Sequence, residues 1–327
     1  MNRTNNKKTV LVCGGAGYIG SHVVQYLVDT GTAVTVLDNL STGHVESLPE
    51  GVELIVGSIG DRELLDSVFS SKQITSIIDL SANAYVYESI INPRKYYDNN
   101  VVNGLVLLEA MLDHDVRRIV FSSSCTVYGT TAAQKPIDEL AGIAPVSPYG
   151  RTKAMFEQIM ADFCRAYGLA YCALRYFNAA GAHSDGSIGE DHDPETHLIP
   201  LTLGKALEQT YSYRSLPLQI FGYDYDTIDG TCMRDYVHVM DLASAHSLAN
   251  ECGFTNLELV RMCEKITGVT IPYEIVDRRP GDPGILVGAA GKAQEVLGWM
   301  AQYSDIETII DSAWRWHRGR PGGYGGV

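Results

Sequence analysis

Hydrophobic and polar residues follow two alternating patterns through the first half of the chain. Short apolar runs, typical of strands buried on both faces, predict strands at 9–13, 33–37, 53–56, 76–80, 118–122 and 169–176. Apolar residues at three- and four-residue spacing predict helices at about 19–30, 61–70, 94–114 and 149–167. Strands and helices that alternate in this order predict an α/β fold, in which right-handed crossovers join the strands of one parallel sheet.

The pattern changes at about residue 184. Beyond that point the strand signals are shorter, the turns are denser and the alternation is irregular. We therefore predict a doubly wound parallel-sheet domain at 1–183 and a smaller C-terminal α/β domain at 184–327, which binds the substrate. Some segments of the second region are expected to return to the first domain. The last glycines are predicted to form a loose tail, namely Gly322, Gly323, Gly325 and Gly326.

Three glycines follow the first predicted strand at the spacing GxxGxxG. Gly14 permits a tight turn, Gly17 lets the backbone approach a pyrophosphate, and Gly20 allows helix and strand to pack closely. The start of the next helix, at Tyr18 and Ile19, offers backbone N–H groups and a partial positive charge to phosphates. Glycines occur in many tight turns, but a strand before and a helix after this loop are typical of a Rossmann dinucleotide-binding site.

A carboxylate ends the second predicted strand. Asp38 lies 18 residues after Gly20, where it can accept hydrogen bonds from both hydroxyls of a ribose. Its charge would repel a 2′-phosphate, so NAD is favoured over NADP. The alternative is that Asp38 is only a turn residue, followed by Asn39 in the sequence Asp-Asn-Leu-Ser-Thr-Gly.

A tyrosine and a lysine four residues apart, Tyr149 and Lys153, share one face of a predicted helix. Ser124 follows a predicted strand at its carboxyl end, the side where open α/β sheets bind ligands. Ionising a phenol at pH 7 requires roughly 4 kcal/mol, and one cation about 4 Å away at an effective dielectric of about 20 supplies that much. The three residues are therefore predicted to act as acid and base on a substrate hydroxyl. A Tyr-x-x-x-Lys pair alone is also common on amphipathic helices.

Composition narrows the class of protein further. The chain has 327 residues, of which 45% are hydrophobic, and a formal net charge of −14. This composition predicts a folded, soluble protein, and the negative charge disfavours nucleic acid or an anionic membrane as a partner. No stretch approaches the roughly 18 apolar residues of a membrane span. A cytoplasmic protein is therefore expected.

The seven cysteines form no Cys-x-x-Cys pair, and most have apolar neighbours. They are expected to be reduced and buried, as in a cytosolic protein. No ligands clustered at short spacing are recognised, so no metal site is predicted.

Longer segments of the chain resemble the extended short-chain dehydrogenase/reductase family, and within it the NAD-dependent nucleotide-sugar epimerases. The resemblance extends over nearly the whole chain and is carried by residues 14–22, 37–43, 96–100, 122–129, 147–153, 174–178, 229–236 and 278–282. The last two segments discriminate best, because they belong to the nucleotide-sugar end rather than to the shared NAD fold.

The resemblance implies contacts for particular residues. Those predicted to bind NAD are Gly14, Gly17, Tyr18, Ile19, Gly20, Asp38, Asn39, Ser58, Ile59, Asn99, Ser122, Tyr149, Lys153, Tyr176 and Phe177. Those predicted to bind a UDP-sugar are Ser124, Tyr149, Asn178, His197, Leu198, Gln219, Phe221, Arg234, Arg279, Asp282 and Leu286. Arg234 and Arg279 would hold the diphosphate, since the guanidinium fork matches phosphate oxygens. The alternative for each arginine is a surface salt bridge.

The activity implied by the resemblance is 4-epimerisation of a UDP-hexose without net redox change. Tyr149 would remove the 4-hydroxyl proton while hydride passes from C4 to NAD, and hydride would return to the other face of the 4-keto sugar. UDP-N-acetylglucosamine and UDP-xylose or UDP-arabinose are alternative substrates, with Leu286 at the position that gates N-acetyl sugars. The sequence also leaves open a net sugar dehydrogenase, a non-catalytic nucleotide sensor and a 4,6-dehydratase, which would carry an acid and a base where Cys125 and Thr126 stand.

Some positions depart from the family pattern. Ser58 replaces the usual adenine-binding Asp. The stretch 249–254 joins two predicted helices that the family separates by a strand and a glycine-rich turn, so either that strand is absent near Asn250 or a disordered stretch belongs there. The helices at 97–112 and 149–167 carry apolar positions beyond one core face, and the resemblance implies a homodimer through a four-helix bundle. The alternative is a monomer with two core helices.

Overall fold

The computed structural model describes residues 8–129, 136–210, 216–245, 253–278, 285–289 and 291–325. The chain divides into two compact units. The first comprises Met1–Gly129 and Ile143–Arg175, and the second comprises Thr130–Gly142 and Tyr176–Val327. The predicted domain limits at 1–183 and 184–327 stay a prediction, as does the function assigned to each domain.

In the described part of the first unit, six strands form one parallel sheet. They are β1 (Thr9–Cys13), β2 (Ala33–Asp38), β3 (Glu53–Val56), β4 (Ile74–Asp79), β5 (Arg118–Ser122) and β6 (Ala170–Leu174). Their order across the sheet is β3-β2-β1-β4-β5-β6, and the order reverses between β1 and β4. Open α/β sheets bind ligands at such a reversal. The predicted α/β fold with a doubly wound parallel sheet is confirmed.

Helices flank this sheet and bury their apolar faces against it. The described helices of the first unit are α1 (Tyr18–Asp29), α2 (Arg62–Ser71), α3 (Val86–Ile91), α4 (Pro93–Tyr97), α5 (Gly104–Asp113) and α6 (Pro148–Tyr167). The core contains Leu11 and Ile77 from the strands together with Leu107, Met111 and Phe156 from α5 and α6, all at most 1% exposed. Burial of this apolar surface provides the main stabilisation of the unit.

Local sequence sets both ends of α6. Ser147 accepts a hydrogen bond from the Gly150 N–H group at 3.1 Å, and Pro148 occupies the first helical position. Gly168 ends the helix in the left-handed conformation, at φ +69°. The position of Tyr149 and Lys153 within the helix therefore follows from short-range sequence signals.

The single helix predicted at 94–114 is interrupted. A π-helical turn at Asp98–Asn103 separates α4 from α5. In this turn Asn100 donates to the Asn83 carbonyl oxygen at 3.0 Å and to Thr152 Oγ1 at 3.1 Å. These long-range hydrogen bonds offset the wider turn, and π-turns of this kind are frequent at functional sites.

The second unit has shorter and more varied elements. Its described strands are β7 (Asn178–Ala180), β8 (Leu218–Phe221), β9 (Met233–His238), β10 (Gly253–Thr255), β11 (Tyr273–Val276) and β12 (Ile285–Leu286). Its described helices are α7 (Leu198–Thr210), α8 (Val239–Ala245), α9 (Asn256–Thr267), α10 (Gly291–Leu297) and α11 (Ile306–Gly319). Within the described residues β9 pairs with β7, β10 and β12, and β8 pairs with β11. Leu203 of α7, Val260 of α9 and Ile309 of α11 belong to one hydrophobic core, to which all three helices contribute.

The expectation that no strand separates the two helices near Asn250 is wrong. Gly253–Thr255 forms β10, which pairs antiparallel with β9 immediately before α9. Thr255 serves both elements, because its side chain and that of Glu258 form a reciprocal capping box at the start of α9. Residues 246–252 lie outside the described residues.

The C-terminal glycines do not form a loose tail up to residue 325. The Tyr324 N–H group donates to Asp191 Oδ2 at 2.7 Å, and the Tyr324 and Trp316 ring centroids are 4.7 Å apart. A Cβ atom at Gly323 would clash with the Asp191 carboxylate. The aromatic residue between the glycines therefore holds this segment against the loop at Asp191, contrary to the prediction.

Residues 136–142 belong to the second unit although they precede β6 in the chain. Ile137 donates to the Val287 carbonyl oxygen at 2.8 Å and accepts from the Ala289 N–H group at 2.9 Å. These two bonds form a parallel bridge between Ile137 and Gly288.

Most described cysteines follow the prediction. Cys13, Cys125, Cys232 and Cys263 are buried and Cys172 is half-buried, whereas Cys164 is exposed on α6, so the expectation of burial is wrong there. Cys252 lies outside the described residues. None of the six described cysteines forms a disulfide bond. None of the described helices is long and apolar enough to cross a membrane.

We predict that stability falls as pH is lowered from about 6.5 to about 4, because His238 is buried and neutral. Its Nε2 donates to Ser312 Oγ at 3.0 Å and its Nδ1 accepts from the Met240 N–H group at 3.1 Å. Burial lowers the pKa of His238 to about 4, although Asp241 and Asp305 act to raise it. The unfolded chain therefore takes up the proton first, which removes up to about 3 kcal/mol of the free energy of unfolding.

Urea unfolding of the wild type and of His238→Asn at pH 7, 6 and 5 measures the pH-dependent contribution of His238 to the free energy of unfolding. Asn keeps an acceptor for the Met240 N–H group and does not titrate. The stability difference between the two proteins should narrow as pH falls. Parallel pH profiles would contradict the prediction.

Candidate active site

In the glycine loop after β1, a side chain could be accommodated at Gly17 but not at Gly14 or Gly20. Gly14 is left-handed at φ +73°, and a Cβ atom there would lie 2.7 Å from the Leu80 carbonyl carbon. A Cβ atom at Gly20 would clash with the Gly14 carbonyl oxygen and lie 2.8 Å from Gly15 Cα. At Gly17 the nearest atom would be 3.5 Å away, an ordinary contact distance. Gly14 and Gly20 are therefore required by packing, whereas Gly17, at the N-terminus of α1, leaves space for a phosphate.

Asp38 connects this loop to the end of β2. Its carboxylate is 7% exposed, with Oδ2 accepting from the Ala16 N–H group at 2.9 Å and Oδ1 from the Leu40 N–H group at 2.8 Å. Asp38 is thus a turn residue and also lies at the position predicted for a ribose contact. Asn39 is exposed beside it, and its Oδ1 accepts from the Ser41 N–H group at 3.0 Å.

The residues predicted near the adenine and at β4 also have local partners. Ser58 is half-buried, and its Oγ accepts from the Gly60 N–H group at 3.1 Å. Ile59 is 5% exposed and packs in the core. Asn99 donates to the Ser81 carbonyl oxygen at 3.0 Å, so the π-turn is joined to the carboxyl end of β4.

Lys153 is 2% exposed, and its Nζ donates to the Ser122 carbonyl oxygen at 2.5 Å. The same atom lies 4.6 Å from the Phe121 ring centroid and 5.8 Å from that of Tyr149. Burial lowers the pKa of Lys153 to about 8, although Asp79 and Glu157 act to raise it. The ammonium group thus lies between the end of β5 and the first turns of α6.

Tyr149 and Ser124 lie on the two elements that Lys153 joins. Ser124 is 7% exposed and begins a 3₁₀ turn, where its Oγ accepts from the Thr126 N–H group at 3.2 Å. A Cβ atom at Gly150 would lie 2.7 Å from the Thr126 carbonyl oxygen, so α6 packs closely on this turn. Tyr149 is 8% exposed, and its ring centroid is 6.4 Å from that of Tyr96 in an edge-to-face arrangement. The first unit therefore brings the predicted serine, tyrosine and lysine to one edge of the sheet.

In the second unit, Asn178 and Phe177 pack on the residues around β9. Asn178 Nδ2 donates to the Asp235 carbonyl oxygen at 2.8 Å. A Cβ atom at Gly288 would overlap the Phe177 ring, with Cδ2 3.0 Å away, so this ring lies directly on the Gly288 backbone. Tyr176 is half-buried.

The predicted uracil and diphosphate residues are only partly described. Gln219 is exposed and donates to Glu274 Oε1 at 3.0 Å, and Phe221 is half-buried. Arg234 is half-buried in β9 and donates to the Met233 carbonyl oxygen at 2.9 Å. Leu286 pairs with Arg234 in the parallel register of β12 and β9. Arg279 and Asp282 lie outside the described residues.

His197 and Leu198 lie at the start of α7. The His197 imidazole is half-exposed and forms a short hydrogen bond with Glu190 through Nδ1. Burial acts to raise the pKa of Glu190, but His197 and His192 outweigh it and lower this pKa to about 2. Desolvation of the half that is buried acts to lower the pKa of His197, but the Glu190 charge raises it to about 9. These two residues form an ion pair.

Two features were not found in the sequence. Glu190, His192, Glu195 and His197 converge, which corrects the expectation that no ligands cluster at short spacing. The signal was the pattern Glu-x-His-x-x-Glu-x-His. Asp235 is 1% exposed, and its Oδ2 accepts from the Gly288 N–H group at 3.1 Å, whereas its Oδ1 accepts no hydrogen bond from the described residues. Burial raises the pKa of Asp235 to about 8 against the Gly288 and Tyr236 amides.

A model of the NAD dependent epimerase/dehydratase family matches residues 10–255. The chain belongs to this family. A UDP-glucose 4-epimerase of Halalkalibacterium halodurans is 46% identical to it in an alignment that covers 96% of this chain and 97% of that protein. A crystal structure of a UDP-glucose 4-epimerase, 42% identical, superposes with a TM-score of 0.92 over 97% of this chain and 99% of the other. The Bifidobacterium longum UDP-glucose 4-epimerase, solved with NAD⁺ and UDP, is 36% identical, with a TM-score of 0.91 over 97% and 100%.

For this member of the epimerase/dehydratase family, we predict different effects of alanine at two glycines. Gly20→Ala should lower the free energy of unfolding by about 1–3 kcal/mol, because its Cβ would clash with the Gly14 carbonyl oxygen. Gly17→Ala should fold normally, since its Cβ has room, but should weaken NAD binding roughly tenfold. Thermal unfolding and NAD titration measure the two effects. Equal losses of stability in both variants would contradict the prediction.

Proposed function

We propose that this protein is an isomerase that interconverts UDP-galactose and UDP-glucose at C4 with bound NAD. The observation that carries the proposal is the buried ammonium of Lys153, placed between the Ser124 turn and the Tyr149 helix. The family and the UDP-glucose 4-epimerase relatives support the same activity.

The first unit fits a dinucleotide. Gly17 leaves space beside the N-terminus of α1 for the pyrophosphate, and the carboxylate of Asp38 lies at the end of β2 for the ribose. Bound NAD supplies the hydride acceptor and donor for C4 of the sugar. We propose that the remaining cofactor contacts are those predicted from the sequence, namely Tyr18, Ile19, Asn39, Ser58, Ile59, Asn99, Ser122, Tyr176 and Phe177.

Three side chains take part in the transfer of the proton from the sugar 4-hydroxyl. Tyr149 takes the proton of the sugar 4-hydroxyl and later returns it, Ser124 hydrogen-bonds the same oxygen, and the Lys153 charge favours the ionised phenol. Lys153 is already held by the Ser122 carbonyl oxygen, so little side-chain freedom is lost during the reaction.

We propose that the second unit binds the UDP part. Arg234 and Arg279 would bind the diphosphate, Gln219 and Phe221 the uracil, and Asp282 the ribose, with Asn178, His197 and Leu198 facing the sugar nucleotide. The half-buried position of Arg234 supports this assignment, because a partly desolvated guanidinium binds phosphate more strongly than an exposed one. Leu286 would set the room available to a C2 substituent.

A 4,6-dehydratase is the second candidate, and the geometry disfavours it. Cys125 is 5% exposed, and Thr126 is bonded to Ser124 Oγ through its own hydroxyl at 3.0 Å. Neither residue offers the carboxylic acid and carboxylate that elimination of water requires.

Apolar surface on α3 and α6 supports a homodimer. Val86, Tyr87, Ile90 and Ile91 on α3 are 43–67% exposed, and Met155 on the neighbouring α6 is 46% exposed. Contiguous exposed apolar residues of this kind mark association surfaces. We propose that two copies join through a four-helix bundle of the regions 97–112 and 149–167, where Val102 and Met155 are 52% and 46% exposed, and that α3 extends this face. We also propose a cytoplasmic location and a role in galactose metabolism, consistent with free cysteines in the described residues.

The activity is tested with UDP-galactose, with and without added NAD. We predict that UDP-glucose forms without net reduction of NAD. Tyr149→Phe should lower kcat by about 10²–10⁴-fold while UDP still binds, because only the proton-transferring hydroxyl is lost. Tyr171→Phe, which removes a hydroxyl from a partly exposed ring on β6, is the matched control and should keep wild-type turnover.

A 4-keto-6-deoxy product, or stoichiometric reduction of NAD, would overturn the proposed reaction. Parallel assays with UDP-N-acetylglucosamine and UDP-xylose determine which sugar is preferred. Wild-type turnover by Tyr149→Phe would overturn the role of the tyrosine.

We predict that Ile91→Glu converts the dimer into a monomer in light scattering, because it places a charge at a 67% exposed apolar position on α3. Val296→Glu is the matched control, since Val296 is 66% exposed on α10 in the second unit. A wild-type monomer, or dissociation by the control alone, would contradict the proposed interface.

A further inference from the structure

Four potential metal ligands converge just before α7. Their ligand atoms, from Glu190, His192, Glu195 and His197, all lie within 4.8 Å of one another. His192 Nδ1 is 3.2 Å from Glu190 Oε1 and 3.8 Å from Glu195 Oε2, and His197 Nδ1 is 3.8 Å from Glu195 Oε1. Two imidazoles and two carboxylates thus lie close together within an eight-residue segment.

These distances match the requirement of a small tetrahedral ion. With metal–ligand bonds of about 2.0–2.1 Å, neighbouring ligand atoms in a tetrahedron are roughly 3.3 Å apart. Three of the separations lie within about 0.5 Å of that value, with Glu195 approaching His192 through Oε2 and His197 through Oε1. The short Glu190–His197 contact must lengthen when an ion enters.

Packing from the C-terminal helix fixes one side of the cluster. Trp316 Nε1 donates to the Glu190 carbonyl oxygen at 3.0 Å, and the Trp316 ring covers Gly189 so closely that a Cβ atom there would overlap it. The Glu190 side chain is only 4% exposed. A carboxylate buried this deeply is normally paired or ligates a metal.

The other side of the cluster is held by its own backbone. Glu195 Oε1 accepts from the Thr196 N–H group at 2.6 Å and from the His197 N–H group at 2.7 Å. These bonds orient the Glu195 carboxylate, so that ligation needs little further ordering. The half-exposed His197 provides access for an ion from solvent.

We propose that Glu190, His192, Glu195 and His197 bind one divalent transition-metal ion of the zinc type. Imidazole nitrogens favour such ions over Mg²⁺ and Ca²⁺, which prefer all-oxygen sites. The ion displaces the proton that His197 carries in its pair with Glu190, so both imidazoles bind in the neutral form and two carboxylates balance the charge of the ion. The ion connects the buried Glu190 to the residue that precedes α7, so it stabilises the segment 190–197. The site shares His197 with the proposed UDP-sugar site, so metal binding and stability, not turnover, are its readouts.

The test begins with protein stripped of metal by a chelator and dialysed. Zn²⁺ binding is measured by calorimetry, and Co²⁺ binding by its visible absorption, which is intense for tetrahedral coordination. We predict one equivalent of each ion, displacement of Co²⁺ by Zn²⁺, and a higher thermal unfolding temperature with Zn²⁺. His192→Asn and Glu195→Gln should each weaken Zn²⁺ binding at least tenfold.

His114→Asn is the matched control. His114 Nε2 lies 2.9 Å from Asp66 Oδ1, so it is also a histidine paired with a carboxylate, but with no role in the cluster. The control should bind Zn²⁺ like the wild type. The proposal is overturned if Zn²⁺ neither binds nor raises the unfolding temperature, if His192→Asn and Glu195→Gln both bind like the control, or if Mg²⁺ binds in preference to Zn²⁺. Circular dichroism confirms that each variant is folded, and activity is not the readout.

Discussion

The burial of one cation constrains the whole carboxyl edge of the first sheet. Transfer of an ammonium group into a protein interior costs several kcal/mol unless nearby groups compensate. At Lys153 the compensation comes from the Ser122 carbonyl oxygen at 2.5 Å and from the Phe121 ring, with Asp79 and Glu157 adding favourable charge. The end of β5 and the first turns of α6 must therefore meet before this charge is stabilised. The same constraint places a serine and a tyrosine beside it, so stability and chemistry at this edge depend on one contact.

Irregular backbone complements the regular sheet along that edge. The loop after β1 closes through Gly14 and Gly20, where any side chain would collide with neighbouring backbone. After β4, two residues of the π-turn donate hydrogen bonds, Asn99 to the Ser81 carbonyl oxygen and Asn100 to Thr152 Oγ1. Strands set the positions of these segments, and the departures from regular geometry place polar groups at the edge where open α/β sheets bind ligands.

The sequence predicts features whose causes are local. Strands buried on both faces require unbroken apolar runs, and the left-handed Gly14 requires glycine, so both are visible without a structure. The π-turn is not visible, because it depends on bonds from Asn100 to residues 17 and 52 positions away. The Glu–His cluster was missed for a similar reason. Its order depends on Trp316 and Tyr324, 126 and 133 residues beyond the groups they hold, although its ligand spacing is legible in the sequence.

The bridge between Ile137 and residues 287–289 bears on synthesis of the chain. All strands of the first sheet have been made by Leu174, but the backbone partners of Ile137 at Val287 and Ala289 follow it by 150 residues or more. At about 5–20 residues per second, a ribosome takes roughly 8–30 s to produce them. During that interval a residue that is 6% exposed in the finished fold lacks those partners. The sheet of the first unit can therefore form while the segment around Ile137 is still unpaired. In that interval the segment is accessible to chaperones and can pair incorrectly.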